Sequence, residues 1–319
     1  MRWVIIGAGA IGGLVGARLF EHDADVMLVA RGEHYHAIRA HGLRVESPDG
    51  ATTAPVPVVD TVHAVGFGSD DVAVVATKSQ QTAEVLESVT RTASPDTPIV
   101  CAQNGVENER VARRRFPNVY GMCVMCPASH LEPGVVRAHR APVPGILDLG
   151  RYPADVDDTA RALADGLTRA RFVSDAKPDI MRWKYKKLLL NLGNAIEAIC
   201  GPENHGGELY TRAYREGVAC LDAAGIAYAS DAEDSGRRGA VIPRPAGGTP
   251  RGGSSWQSMV RRTGNVEVDY LNGEIVLLGA LHDVPTPVNA VLQRLANQLA
   301  AARTPPGSMT EADILGLVP

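Results

Sequence analysis

The feature that most constrains this chain is six residues long. Gly7-Ala8-Gly9-Ala10-Ile11-Gly12 follows a short apolar run, Val4 to Ile6, and opens a helical pattern that runs to about Glu21. The G-x-G-x-x-G spacing is weak on its own. Between a strand and an amphipathic helix it prescribes one kind of turn. Gly7 permits the tight bend, Gly9 leaves the backbone bare toward a pyrophosphate, and Gly12 lets helix and strand pack closely. Ala10 and Ile11 begin the helix, whose N-terminus offers free N–H groups and a positive dipole end to phosphates. A glycine turn without a ligand fits this setting poorly, so Gly7, Gly9, Ala10, Ile11 and Gly12 read as cofactor-binding residues.

Short apolar runs recur after it, at Asp25–Ala30, Asp71–Ala76 and Ile99–Ala102, with helical patterns between them. Unalternating runs of this kind are what a parallel sheet buried on both faces produces. Val119 to Met125 reads as a further strand, and Gly134–His139 and Gly145–Gly150 as antiparallel strands closing the domain. Beyond Val173 the pattern turns helical. One helix is expected from Pro178 to about Cys200, and others over Leu209–Ala224, Val266–Leu281 and Val288–Ala301, with Pro287 marking the start of the last. The predicted fold is therefore an α/β Rossmann-type N-terminal domain, residues 1–175, followed by an all-helical C-terminal domain, residues 176–319. One stretch, Gly239–Gly253, is rich in Pro and Gly and flanked or occupied by Arg237, Arg238, Arg244 and Arg251. It reads as a solvated loop first, and as a mobile flap over an anionic substrate second.

Composition narrows the partners. Lys plus Arg is 32 against 36 Asp plus Glu, a net charge of −4, which lacks the clustered positive excess of a nucleic-acid or anionic-membrane binder. No apolar run approaches the ~18–20 residues that span a bilayer, and the run before Gly7 is too short for a signal-peptide core. A cytoplasmic chain with neither membrane nor nucleic-acid partner is expected. Five cysteines, an odd number, suit reduced thiols. Cys123 and Cys126 stand three apart on a strand, hence on opposite faces, and read as core residues rather than a redox pair. No metal site is expected.

The second strand ends Val29-Ala30-Arg31-Gly32. An acid that would accept from the ribose hydroxyls is missing there, and Arg31 suits a 2′-phosphate, hence NADP (NADPH). Ligands of open α/β sheets bind outside the carboxyl ends of the strands. That places Lys78 and Gln81 at the adenosine end and Asn104 near the nicotinamide. In the helix from Pro178, Lys184, Lys187, Asn191 and Asn194 are spaced by 3, 4 and 3 and share one face. Nearly everything around them is apolar. A polar stripe on a buried helix needs partners, so this face should border a cleft. Lys184 and Lys186 can snorkel to solvent; Lys187 beside Asn191 is the better candidate for the cleft. Ser255 opens a further helix, and Glu267 lies near the start of the one after it, where capping alone would account for both.

Together these motifs resemble ketopantoate reductase (2-dehydropantoate 2-reductase). The resemblance runs through Lys78-Ser-Gln-Gln, Gln103-Asn-Gly-Val, Trp183…Lys187-Leu-Leu-Leu-Asn191, Ser254-Ser-Trp-Gln and Glu267-Val-Asp-Tyr-Leu-Asn-Gly, and so covers nearly the whole chain. It implies a Rossmann domain followed by a helical domain, with the active site in the cleft between them. It implies NADPH-dependent reduction of a 2-oxo acid to a 2-hydroxy acid, with Lys187 as general acid. Arg31 and Lys78 would hold the 2′-phosphate, with Gln81 by the adenine. Asn104 and Glu267 would be catalytic beside Lys187, Asn191, Asn194, Ser255 and Glu267 would bind the small-molecule substrate, and the helical domain would also serve dimerisation in a homodimer. Three features depart from the family pattern: Met259 where an acid is common, Ala195 where an asparagine is common, and the Gly239–Gly253 stretch. All touch the substrate side, and the first two favour a less polar acyl group than ketopantoate carries. A relative acting on another ketone, an imine or an acyl substrate, and a non-catalytic NADP-binding sensor, are the alternatives.

Overall fold

The computed structural model describes residues 1–204, 206–239, 241–242 and 252–319. The chain forms two compact units, Met1–Lys184 with Ser235–Pro243, and Tyr185–Asp234 with Arg244–Pro319. Most of the Pro/Gly-rich stretch, including Arg244 and Arg251, lies outside the described residues.

The first unit runs β1 (Arg2–Ile6), α1 (Ala10–Glu21), β2 (Asp25–Val29), α2 (Gly32–His41), β3 (Leu43–Ser47), β4 (Gly50–Ala54), β5 (Val58–Val59), β6 (Asp71–Val75), α3 (Thr82–Thr90), β7 (Ile99–Cys101), α4 (Asn108–Arg113), β8 (Val119–Met125), β9 (Ala128–Ser129), β10 (Val135–Ala138), β11 (Ile146–Arg151) and α5 (Asp158–Arg169). Seven strands form one sheet in the order β11-β8-β7-β6-β1-β2-β5. All its pairs are parallel except β11 against β8. Alternation on β1 separates two cores. Trp3 and Ile5 pack toward α1 and α5, while Val4 and Ile6 pack toward Val85, Leu86 and Val89 of α3. Helices on both faces make the strands apolar throughout, as expected for a parallel sheet. The chain steps from β1 outward to β2 and then returns to β6 on the other side. The carboxyl ends of β1 and β6 therefore flank the point where the winding reverses, the place where such sheets bind ligands.

A second sheet, β4-β3-β10-β9, was only partly legible. The run Gly134–His139 supplies β10 to this sheet, where it pairs parallel with β3 and antiparallel with β9, whereas Gly145–Gly150 supplies β11 to the large one. Helix α1 lies between the two sheets. A Cβ on Gly13 would come within 2.9 Å of Val136 of β10, and one on Gly16 within 2.5 Å of Leu28 of β2. This explains a helix with three glycines: their conformational cost is offset by close packing on both sides.

The helical half begins with α6 (Ile180–Asn191), which starts in the first unit, and continues through α7 (Gly193–Cys200), α8 (Glu208–Ala223), α9 (Asp231–Gly239), α10 (Ser254–Val260), α11 (Asn272–Leu281), α12 (Pro287–Ala301) and α13 (Glu311–Leu315). The single helix expected from Pro178 to Cys200 is thus two, interrupted at Leu192, where the backbone tightens to a Leu192 N–H to Leu189 O bond of 3.4 Å. Asn272 steadies the break: its Nδ2 donates to Leu192 O at 3.2 Å and to Asn289 Oδ1 at 3.0 Å. Glu216 of α8 accepts from the Val288 and Asn289 N–H groups at 2.9 and 3.0 Å, satisfying the free donors at the start of α12 behind Pro287. Among the described residues no helix is long and apolar enough to cross a membrane. All five cysteines are buried and none is in a disulfide among the described residues.

Candidate active site

In the first unit, the carboxyl ends of four adjacent parallel strands, β2, β1, β6 and β7, carry the expected cofactor residues. Gly7 adopts φ +103°, open to glycine and strained for other residues. A Cβ on Gly12 would press into the Gly7 carbonyl and reach 2.9 Å from Ala76, whereas one on Gly9 would meet nothing within 4 Å. Gly9 is the N-cap of α1, and no side chain caps it; the first turn holds no acid. The helix thus presents N–H donors and dipole to open space. Next to the loop, after β6, Thr77 has a buried hydroxyl with no partner among the described residues. A crowded Gly12, an open Gly9 and a bare helix end are the features that a dinucleotide pyrophosphate requires, so these residues fit one.

Arg31 follows β2 as the N-cap of α2 and is 59% exposed. Its guanidinium meets Glu84 at 3.4 Å, a long solvent-exposed pair that contributes little. Lys78 is half-buried after β6, and Gln81 is exposed one turn on. Asn104 follows β7, half-buried.

A buried polar network ties the loops after β6 and β7 together. Gln103 Nε2 donates to Thr77 O and to Thr82 Oγ1, both at 2.8 Å. Thr82 Oγ1 donates to Asn108 Oδ1 at 2.7 Å, and Asn108 Nδ2 donates to Asn104 O at 2.9 Å. Behind it, the Lys184 ammonium donates to Gln103 O at 3.0 Å and forms an ion pair with Glu109. Glu109 is fully buried, and burial pushes its carboxyl above the ordinary range, with Lys184 opposing the rise. Gly121 of β8 makes room for the pair: a Cβ there would lie 3.2 Å from Glu109 Oε1 and 3.3 Å from Lys184 Cδ.

This overturns the expectation that Lys184 and Lys186 snorkel. Lys184 is 3% exposed and Lys186 1%. Lys186 donates to Tyr214 Oη at 2.6 Å and pairs with Asp231, which together hold its pKa up against desolvation. Lys187 is the half-buried one of the three. Arg237, which flanks the Pro/Gly-rich stretch, lies in α9, where its Nε donates to Asp148 Oδ2 at 2.8 Å in a paired contact with a fully buried carboxylate.

In the second unit, Lys187 and Asn191 lie one turn apart on α6, while Asn194 falls beyond the break, on α7. Asn194 and Glu197 sit against the start of α10: a Cβ on Gly253 would meet Asn194 Oδ1 at 3.0 Å, and the Gly253 N–H donates to Glu197 Oε2 at 2.6 Å. Capping does not account for Ser255. The N-cap is Gly253, without a side-chain cap, and Ser255 stands inside the first turn. The Oγ atoms of Ser254 and Ser255 and the Nδ2 of Asn191 are buried without partners among the described residues, an arrangement that costs stability unless something else is bound there. Met259, four residues after Ser255, and Ala195 are both buried. Glu267 is 9% exposed and precedes a 3₁₀ turn, Val268–Tyr270; Leu271, at φ −118° and ψ −90°, separates that turn from α11. Glu267 is thus the N-cap of the 3₁₀ turn, without a side-chain cap bond, and not a first-turn residue of a helix over Val266–Leu281.

Thr77, Gln103, Glu109 and Lys184 were missed as a connected group. A glycine in the middle of the buried run Val119–Met125 is the signal that could have pointed to them, since a strand glycine often marks a close approach.

Two family models match, "Ketopantoate reductase PanE/ApbA" over residues 3–154 and "Ketopantoate reductase PanE/ApbA C terminal" over 179–300. A 2-dehydropantoate 2-reductase of Archaeoglobus fulgidus is 30% identical over 305 residues, 92% of this chain and 96% of that one. A PanE/ApbA family ketopantoate reductase of Ralstonia eutropha superposes with a TM-score of 0.80 at 26% identity, covering 95% of this chain and 99% of that one. D-Mandelate dehydrogenase, solved with NADH and anilino(oxo)acetate, has the same fold at 22% identity, with a TM-score of 0.79 and the same coverage.

Proposed function

The chain belongs to the ketopantoate reductase family of oxidoreductases, and on that footing we propose that it reduces a 2-oxo acid to the 2-hydroxy acid with NADPH. The observation that carries this reading is the uncapped N-terminus of α1 with open space over Gly9. Arg31 and Lys78 hold the 2′-phosphate, two cations against a dianion, and Gln81 lies by the adenine. Gly7, Gly9, Ala10, Ile11 and Gly12 cradle the pyrophosphate. NADPH supplies the hydride when bound.

Asn104 orients the reacting carbonyl. Lys187 polarises the carbonyl oxygen and donates the proton as negative charge develops there, an effect largest where water is excluded. Ser255 takes the substrate carboxylate, Glu267 its hydroxyl, and Asn191 and Asn194 complete the polar contacts. The buried hydroxyl of Ser255 and amide of Asn191 support these roles, because both lack partners among the described residues. Apolar Met259 and Ala195 favour a substrate with a less polar acyl group than ketopantoate. The mandelate dehydrogenase relative, whose bound anilino(oxo)acetate carries an aromatic ring beside an oxo acid, supports that direction. The test is NADPH oxidation, followed by absorbance, with ketopantoate and a series of bulkier apolar 2-oxo acids, repeated with NADH. No oxidation with any of them rejects the activity. Equal efficiency with the two cofactors rejects the 2′-phosphate assignment.

A further inference from the structure

We propose that the buried Lys184–Glu109 pair is a positioning device that aims the Asn104 side chain for hydride transfer; this rests on the reading of Asn104 given above. Two consecutive carbonyls around Asn104 are held from behind. Gln103 O accepts from the Lys184 ammonium at 3.0 Å, and Asn104 O accepts from Asn108 Nδ2 at 2.9 Å and Ser79 Oγ at 3.4 Å. Pinning both carbonyls sets the two peptide planes that flank the Asn104 Cα, and so the direction of its side chain. That side chain makes no hydrogen bond among the described residues and remains available to a ligand. Gly105, at φ +78°, turns the backbone immediately afterward.

The pair is poorly suited to a purely stabilising role. Buried ion pairs often contribute no more than apolar residues of similar size would, and here Glu109 Oε2 and Gln103 Oε1 have no partners among the described residues. Its distinctive product is a charged donor at Gln103 O. Glu109 supplies the counter-charge that an ammonium buried at this carbonyl requires. Two residues 75 positions apart are thereby spent on one backbone carbonyl, the one that leads into Asn104.

The test uses the double variant Lys184→Met/Glu109→Leu in the full chain, which removes both charges together and so separates folding from alignment. We measure its thermal midpoint, its NADPH affinity by fluorescence titration, kcat with the best 2-oxo acid, and the primary isotope effect on kcat with NADPH deuterated at the transferred position. The expected result is a wild-type midpoint, NADPH affinity within about twofold, a kcat at least tenfold lower and a larger isotope effect, as hydride transfer becomes more rate-limiting. A merely structural role changes the amount of folded enzyme and leaves the isotope effect alone. Wild-type kcat and isotope effect in the folded double variant overturn the proposal. Should that variant not fold, Lys184→Leu/Glu109→Met, a second apolar filling that likewise removes the donor to Gln103 O, must give the same kinetic signature; wild-type values there overturn it equally. A wild-type protein that oxidises no NADPH with any 2-oxo acid instead removes the functional reading, and this inference with it.

Discussion

Replacing Lys184 alone with methionine keeps its length and apolar stem while removing the charge that Glu109 faces. Glu109 is completely buried, with its pKa already raised by desolvation. Left without the ammonium, the carboxylate either stays charged in a dry site or takes up a proton. Protonation limits the penalty. Relative to an unfolded chain with an ordinary carboxyl near ~4.3, protonating it at pH 7 costs about 1.36 × 2.7, or ~3.7 kcal/mol. The lost donor to Gln103 O adds about 1 kcal/mol. The sum, up to about 4–5 kcal/mol, agrees with the ~3–5 kcal/mol typical of a half-removed buried pair. It is a large part of a ~5–15 kcal/mol total. The sign of the pH dependence follows. The folded variant holds Glu109 at a raised pKa and binds the extra proton. The contribution is therefore most favourable below the unfolded value near ~4.3 and is lost as pH rises through the folded pKa. The gap between variant and wild type opens above the pH at which Glu109 ionises beside Lys184, and widens by about 1.4 kcal/mol per pH unit. Urea unfolding of both proteins followed by circular dichroism, at about pH 5, 6 and 7, measures it. A gap independent of pH, or one under about 1 kcal/mol at pH 7, refutes the reasoning.

Three further outcomes are expected. Arg31→Ala loses one charge-assisted phosphate contact, about 1.5–3 kcal/mol, so the KM for NADPH rises roughly tenfold or more while that for NADH changes little, as paired steady-state assays would show. Lys187→Met lowers kcat by about 10²–10⁴-fold with NADPH affinity unchanged in fluorescence titration; full retention of activity would exclude Lys187 as the acid. Gly12→Ala and Gly9→Ala should differ in kind. The first forces a Cβ into the Gly7 carbonyl and against Ala76 and costs about 1–3 kcal/mol or more in unfolding experiments. The second enters open space, changes stability by about 1 kcal/mol or less, and still weakens NADPH binding, because the methyl occupies the pyrophosphate's approach.

Most of the fold could be read from local pattern. The glycine loop, β1, β2, β6, β7 and β8, the helices α8 and α12, and the change from α/β to helical character all follow from periodicity and from Gly and Pro placement, which act within a few residues of chain. The family could be read too, because its motifs are contiguous blocks. Where several interpretations shared one local pattern, the sequence could not choose. The stretch Gly134–His139 has a strand's composition whichever sheet it joins, and only pairing with β3, ninety residues earlier in the chain, assigns it. Asn191 and Asn194 share a helical face on paper, yet Leu192 interrupts the helix between them, and the Asn272 amide that meets the Leu192 carbonyl comes from 80 residues away.

The three lysines of Lys184-Tyr-Lys-Lys187 make the division plainest. The sequence by itself determined that this helix is apolar enough to be buried and that its cations need partners. It did not determine which lysine turns inward, because an ammonium is buried only where a carboxylate waits for it. Those carboxylates, Glu109 for Lys184 and Asp231 for Lys186, are 75 and 45 residues distant. Helical periodicity orders side chains around one axis. The desolvation cost of a charge is set by whatever the rest of the chain brings alongside, and that is a property of the tertiary structure alone.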